Sequence, residues 1–101
     1  MGSVFTNGFW IAKAGREDEF ISAWRKLANW VVATFPEAAP QSLFRDLDNR
    51  SRFVVLDEWG STEDVVECRR HPEFRRRLTE LLSGPVESVE ATMLEVVVSP
   101  D

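Results

Sequence analysis

Between residues 4 and 13 the run VFTNGFWIAK places Phe5, Phe9 and Ile11 on one side of an extended chain and Val4, Trp10 and Ala12 on the other. An antiparallel strand with one wet face alternates apolar with polar residues, and this one does not, so both of its faces need cover. The pattern recurs where Val55 opposes Val54 and Leu56, and where Val97 opposes Val96 and Val98. With 101 residues there is room for one domain, residues 1–101, and no second. Such a chain has few helices with which to cover a sheet twice.

The order of elements sharpens this constraint. After the turn Ala14-Gly15, the residues Phe20, Ala23, Trp24, Leu27 and Val31 recur at helical spacing from Glu17 to about Phe35, with Glu17, Asp18 and Glu19 at the positive end of the helix dipole. Pro36 and Pro40 end that helix. Two extended segments, Gln41–Leu47 and Arg52–Trp59, flank the turn-forming Asp48-Asn49-Arg50-Ser51 and should pair antiparallel. Ser61, with Asp64 three residues on, caps a second helix running to about Arg70. Pro72 biases His71 away from helical backbone, so a break is expected there, with a further helical piece from Pro72 to Leu82. Ser83-Gly84-Pro85 ends it, and Val86–Val98 reads as a last strand. The order β-α-β-β-α-β is that of a ferredoxin-like α+β sandwich, a four-stranded antiparallel sheet with helices on one face. The cheapest cover for the other face is a second copy of the same sheet about a two-fold axis.

With that order in place, the stretch Arg52–Phe74, RFVVLDEWGSTEDVVECRRHPEF, resembles the central motif of the antibiotic biosynthesis monooxygenase (ABM) domain family. The matching features are an aromatic-aliphatic strand ending in Trp59, Asp57 two residues before it, and Pro72-x-Phe74. A Gly60-Ser61 turn stands where Glu-Ser is usual. Gly15 followed by Glu17, Asp18, Glu19 and Phe20 is similar to the family's first turn and helix, with Ala14 where proline is common. The resemblance implies a homodimer whose two sheets close into a dimeric α+β barrel. Its cofactor-free branch oxidises aromatic polyketides with dioxygen, using an Asn and a Trp four residues apart on the third strand and an Arg in the second helix. Trp59 matches the Trp, Arg75 is in place for the Arg, and Val55 stands where the Asn would be. The haem-degrading branch fits less well: Asn7 is one residue out of register, Cys68 replaces a helical Trp, and Arg77 falls near the position of the His ligand. The quinol branch carries His at the Cys68 position and often at Glu73, and neither is His here.

The residues themselves suggest roles for the same positions. Asp57 shares a strand face with Phe53, Val55 and Trp59, so it should be desolvated, and a carboxyl in apolar surroundings suits a general base for a phenolic proton. An Asp paired with an Arg or at the sheet edge satisfies the same pattern. Trp59 at the end of its strand can stack on a flat aromatic and offer its N–H, or serve as core. Arg75 would stabilise the substrate anion. Trp24 can face Trp59 across a cavity that Val55 and Cys68 also line, although a lone buried Cys is ordinarily a small hydrophobe. His71, the only His, is placed for a proton shuttle on the rim or for the surface.

Composition closes off other chemistries. The formal net charge of −5, from 17 acidic against 12 basic residues, opposes nucleic acid and anionic membranes. The basic runs at 69–70 and 75–77 are interleaved with Glu67, Glu73 and Glu80 at helical pairing distances such as Glu73–Arg77 and Arg76–Glu80, which reads as a solvated, salt-bridged face. One Cys and one His cannot build a Cys/His zinc site, and no phosphate loop or dinucleotide fingerprint is present. No cofactor or metal is expected. No apolar run reaches membrane-spanning length and no signal-peptide pattern opens the chain, so a cytoplasmic location is expected. The leading expectation is a cofactor-independent monooxygenase acting on a flat aromatic or quinol-type molecule. A non-catalytic small-molecule-binding or dimerisation module of the same fold is the alternative.

Overall fold

The computed structural model describes residues 4–100. β1 (Val4–Ala12), α1 (Glu17–Thr34), β2 (Leu43–Arg45), β3 (Arg52–Trp59), α2 (Thr62–Arg70), α3 (Pro72–Ser83) and β4 (Val86–Glu95) follow in chain order. The sheet order is β2-β3-β1-β4 with every pairing antiparallel, the strand order of a ferredoxin-like sheet. Alternation along β1 turns Thr6, Gly8, Trp10 and Ala12 toward the helices, and along β3 it turns Phe53, Val55, Asp57 and Trp59 the same way.

The helices are seated by residues at helical spacing. Phe20, Trp24, Leu27, Ala28 and Val31 form the buried stripe of α1. At their centre Phe20 stands 5.5 Å from Trp10 and 4.9 Å from Phe53, a tilted aromatic stack joining helix to sheet. Gly15, with φ of +85°, supplies the left-handed turn into α1. Ser61 Oγ accepts from Asp64 N at 3.1 Å, as the capping pattern requires. His71 is extended, with ψ of 131°, and separates α2 from α3. The expected pairs Glu73–Arg77 and Arg76–Glu80 both form, at 2.7 Å.

Two strands are shorter than their hydrophobic patterns suggest. The expected 41–47 segment pairs only over Leu43–Arg45, because Asp46 Oδ1 accepts from the backbone of Asp48 and Asn49 and opens the turn two residues early. β4 stops at Glu95, opposite Val4, and Val96, Val97 and Val98 lie exposed beyond the ladder. The two-sided apolar pattern therefore belongs to β1 and β3. On the face away from the helices, Phe5, Phe9 and Ile11 lie beside Val54, Leu56, Phe44 and Leu94, with Leu56 52% and Phe44 55% exposed. No helix among the described residues covers this face, and none is long and apolar enough to cross a membrane.

Candidate functional site

The pocket forms where the sheet is lowest. Ala91, Gly8 and Val55 sit side by side across β4, β1 and β3, a row of small side chains flanked by the Val89–Trp10–Phe53 row and the Met93–Thr6–Asp57 row. Trp24, Leu27 and Val31 of α1 cannot fill the space above such a row, and a cavity of about 100 Å³ remains. Cys68 and Arg69 of α2 and Phe74 of α3 complete its walls.

Asp57 is the chemical centre of this floor. It is 6% exposed, and its Oδ1 has no hydrogen-bond partner among the described residues. It forms no ion pair with an arginine among the described residues. Burial pushes its carboxyl from the usual carboxylate range up to about 7. A carboxyl in that position exchanges a proton near neutral pH, which is what a general base requires.

Trp59 lines the pocket beside it, 6% exposed, with its ring edge-on to Phe35 at 6.1 Å. Its Nε1 donates to Thr6 Oγ1 at 3.0 Å, so the indole N–H expected to face a ligand is already committed to β1. The ring remains as a wall. Trp24 and Val55 also line the pocket, as does Cys68, whose thiol burial pushes up to about 11. A thiol in that state is a small apolar surface and no nucleophile at neutral pH.

Two expected residues are not brought to the pocket. Arg75 points outward on α3, exposed and off the lining, so it has no access to an anion bound there. His71 serves the backbone: its Nδ1 accepts from Glu73 N at 3.1 Å as the cap of α3, and its ring meets Trp30 at 4.9 Å. It borders a separate surface cleft near Glu37 and Glu67 and does not reach the rim. The cation that lines the pocket is instead Arg69, which the alternating charges of the sequence assigned to a salt-bridged surface and which forms no ion pair among the described residues. No sequence period marks it, since a residue one past the sheet-facing Cys68 is turned about 100° away around the helix. Thr6, Gly8 and Trp10 were also missed as site residues, since only the β1–β3 register puts them beside Asp57. No group of three or more His, Cys, Asp or Glu placed to hold a metal ion occurs among the described residues.

Solved structures of other proteins share this fold. A cofactor-independent oxygenase from Streptomyces nogalater, SnoaB, is similar with a TM-score of 0.85 at 18% identity, covering 98% of this chain and 97% of its own. A protein of Deinococcus radiodurans assigned to the antibiotic biosynthesis monooxygenases has a TM-score of 0.84 at 14% identity, with 97% and 96% covered. A conserved protein from Methanosarcina mazei Go1 reaches 0.79 at 17% identity, with 93% and 92% covered. At these identities the likeness speaks for the fold. No curated protein sequence matches the chain. The family model for antibiotic biosynthesis monooxygenase matches residues 4–79, so the chain belongs to that family.

Proposed function

We propose that this chain is a cofactor-independent monooxygenase acting on a small hydroxyaromatic or quinol-type molecule. The observation that carries the reading is Asp57, an unpartnered carboxyl on the floor of an apolar pocket, poised near neutral pH. The name of SnoaB as a cofactor-independent oxygenase supports it. A cavity of about 100 Å³ is small against the roughly 300–1,000 Å³ of pockets for drug-sized ligands and is on the scale of a single ring, so a fused second ring would extend into the pocket mouth.

For a phenol with a free para carbon, Asp57 takes the phenolic proton, and the ring anion passes an electron to dioxygen. The resulting pair joins in a C–O bond at the para carbon. That carbon then loses its hydrogen as a proton, the O–O bond breaks, and the departing hydroxide takes a proton from Asp57 to leave as water. A quinone remains. The substrate gives up four electrons and dioxygen accepts four, so no outside reductant enters. One oxygen atom ends in the product and the other in water.

Dioxygen uptake with 1-naphthol tests this. Labelled dioxygen should put one labelled oxygen into each naphthoquinone, without hydrogen peroxide. Peroxide in equal amount to product, or uptake no faster than in buffer, overturns the reading. Val55, in the place where the cofactor-free branch carries Asn, favours the second reading of a binding module. Saturable quenching of tryptophan fluorescence by 1-naphthol without uptake would establish that one.

The assembly belongs to the same proposal: a second copy of the chain covers the open face of the sheet. What supports this is the row of exposed apolar side chains there, Leu56 and Phe44 among them.

A further inference from the structure

With Arg75 outside the pocket and the Trp59 N–H bound to Thr6, the substrate oxyanion formed by Asp57 still needs a donor. The geometry points to Trp10: we propose that its indole N–H receives the oxyanion, and that the missing side chain at Gly8 makes the room for it. This rests on the reading of the pocket as a phenol site.

Trp10 is 7% exposed as a residue and lines the pocket, and no hydrogen bond from its Nε1 occurs among the described residues. The nitrogen is not sealed from solvent, so its N–H is a donor on the pocket wall that a ligand can take up. The edge that carries the nitrogen lies over Gly8. A β-carbon built on Gly8 would stand 3.1 Å from Trp10 Nε1 and 3.7 Å from Cδ1. The rest of the ring is packed on Phe20, 5.5 Å away between centroids, which leaves the nitrogen edge as the free one. Gly8 and Thr6 are neighbours on one face of β1, and Thr6 lies opposite Asp57 in the ladder. The donor and the base are thus separated by about one residue pair, roughly 7 Å by strand rise. In the arrangement proposed, a phenolic oxygen on the floor between them meets both groups. A preorganised donor aimed at the atom where charge develops stabilises that charge without reorganising.

The test uses 4-nitrophenol, a single-ring phenol whose blocked para position prevents oxidation and whose ionisation is read from its visible absorbance. It is titrated into the full chain carrying Asp57→Asn, so that the base's own charge does not move with pH. The bound dye should ionise at lower pH than free dye. Adding Trp10→Phe, which removes the N–H together with part of the indole ring while keeping an aromatic ring near Phe20, should weaken phenolate binding about tenfold and leave the neutral phenol, which reports the loss of ring area, within twofold. Gly8→Ala retains the indole but crowds its nitrogen, and should shift ionisation the same way by a smaller amount. If bound dye ionises identically with and without the Trp10 N–H, the assignment to Trp10 is wrong, while 1-naphthol oxidation still decides the activity. If 4-nitrophenol does not bind, the phenol pocket and this role fall together. Binding with the expected shift but no 1-naphthol oxidation leaves Trp10 as the oxyanion donor of a binding module.

Discussion

Asp57 links the chemistry of the pocket to the stability of the chain. Below about pH 7 the folded carboxyl keeps its proton, whereas the unfolded chain releases it in the ordinary carboxylate range. Its pKa is raised on folding, so the stability it contributes is full at acid pH and is lost as pH rises through about 7. The surface carboxylates act in the opposite sense. Glu17 is held down by the Ser51 hydroxyl, Glu19 by Arg16, Asp46 by the backbone N–H of Asp48, and Glu73 by Arg76, so what they contribute is lost only as pH falls below the usual carboxylate range. The melting temperature of the protein should therefore decline from pH 5 to pH 8, and Asp57→Asn should flatten that decline. A decline of equal slope in the variant assigns it to other groups. The same variant should reduce 1-naphthol oxidation by roughly 10²–10⁴ while ligand affinity stays within a few fold. In the unaltered chain kcat/KM should climb with pH through an apparent pKa near 7, as the base of the free enzyme ionises. A flat profile would remove Asp57 from the chemistry. The desolvation of Asp57 was legible from its place between Val55 and Trp59 on one strand face. That no arginine pairs with it among the described residues was not legible, because pairing depends on side chains from other elements.

At the scale of elements, the break between α2 and α3 was readable because it is made locally, by Pro72 acting on the residue before it. What His71 does there was not. Its imidazole accepts the Glu73 N–H, a donor that the first turn of α3 leaves without a helical partner. His71→Ala should cost about 1 kcal/mol, the usual worth of a cap, which lowers the melting temperature by roughly 4–8 °C in a domain of this size. Oxidation rate should be unchanged at temperatures where the variant is folded. A rate loss of more than tenfold with an intact melting temperature would return His71 to the proton path. The ends of β2 and β4 escaped the hydrophobic pattern for a related reason. Asp46 stops β2 with its own side chain, and β4 ends at Glu95, leaving Val96, Val97 and Val98 exposed. Apolar alternation marks what a strand would bury and says nothing of where its partner ends.

For the whole molecule, the open face is the consequence with the largest reach. Light scattering at micromolar concentration should give about twice 11.6 kDa. Leu56, 52% exposed at the middle of that face, should be at its buried centre in the dimer, so Leu56→Glu should halve the mass without disturbing the helix-side core. A dimer that survives Leu56→Glu at the same concentration must pair through some other surface. Element order, the facing of β1 and β3 and the helix break were determined by the sequence alone, since each follows from backbone geometry that repeats every 2 or 3.6 residues or from a single proline. Only the tertiary structure decided which polar groups meet. Trp59 finds Thr6 53 positions away, Trp10 leans over Gly8, and Arg69 rather than Arg75 turns to the pocket. Those outcomes depend on strand register and on the seating of α2 and α3 against the sheet, which distant residues set jointly and no local period encodes.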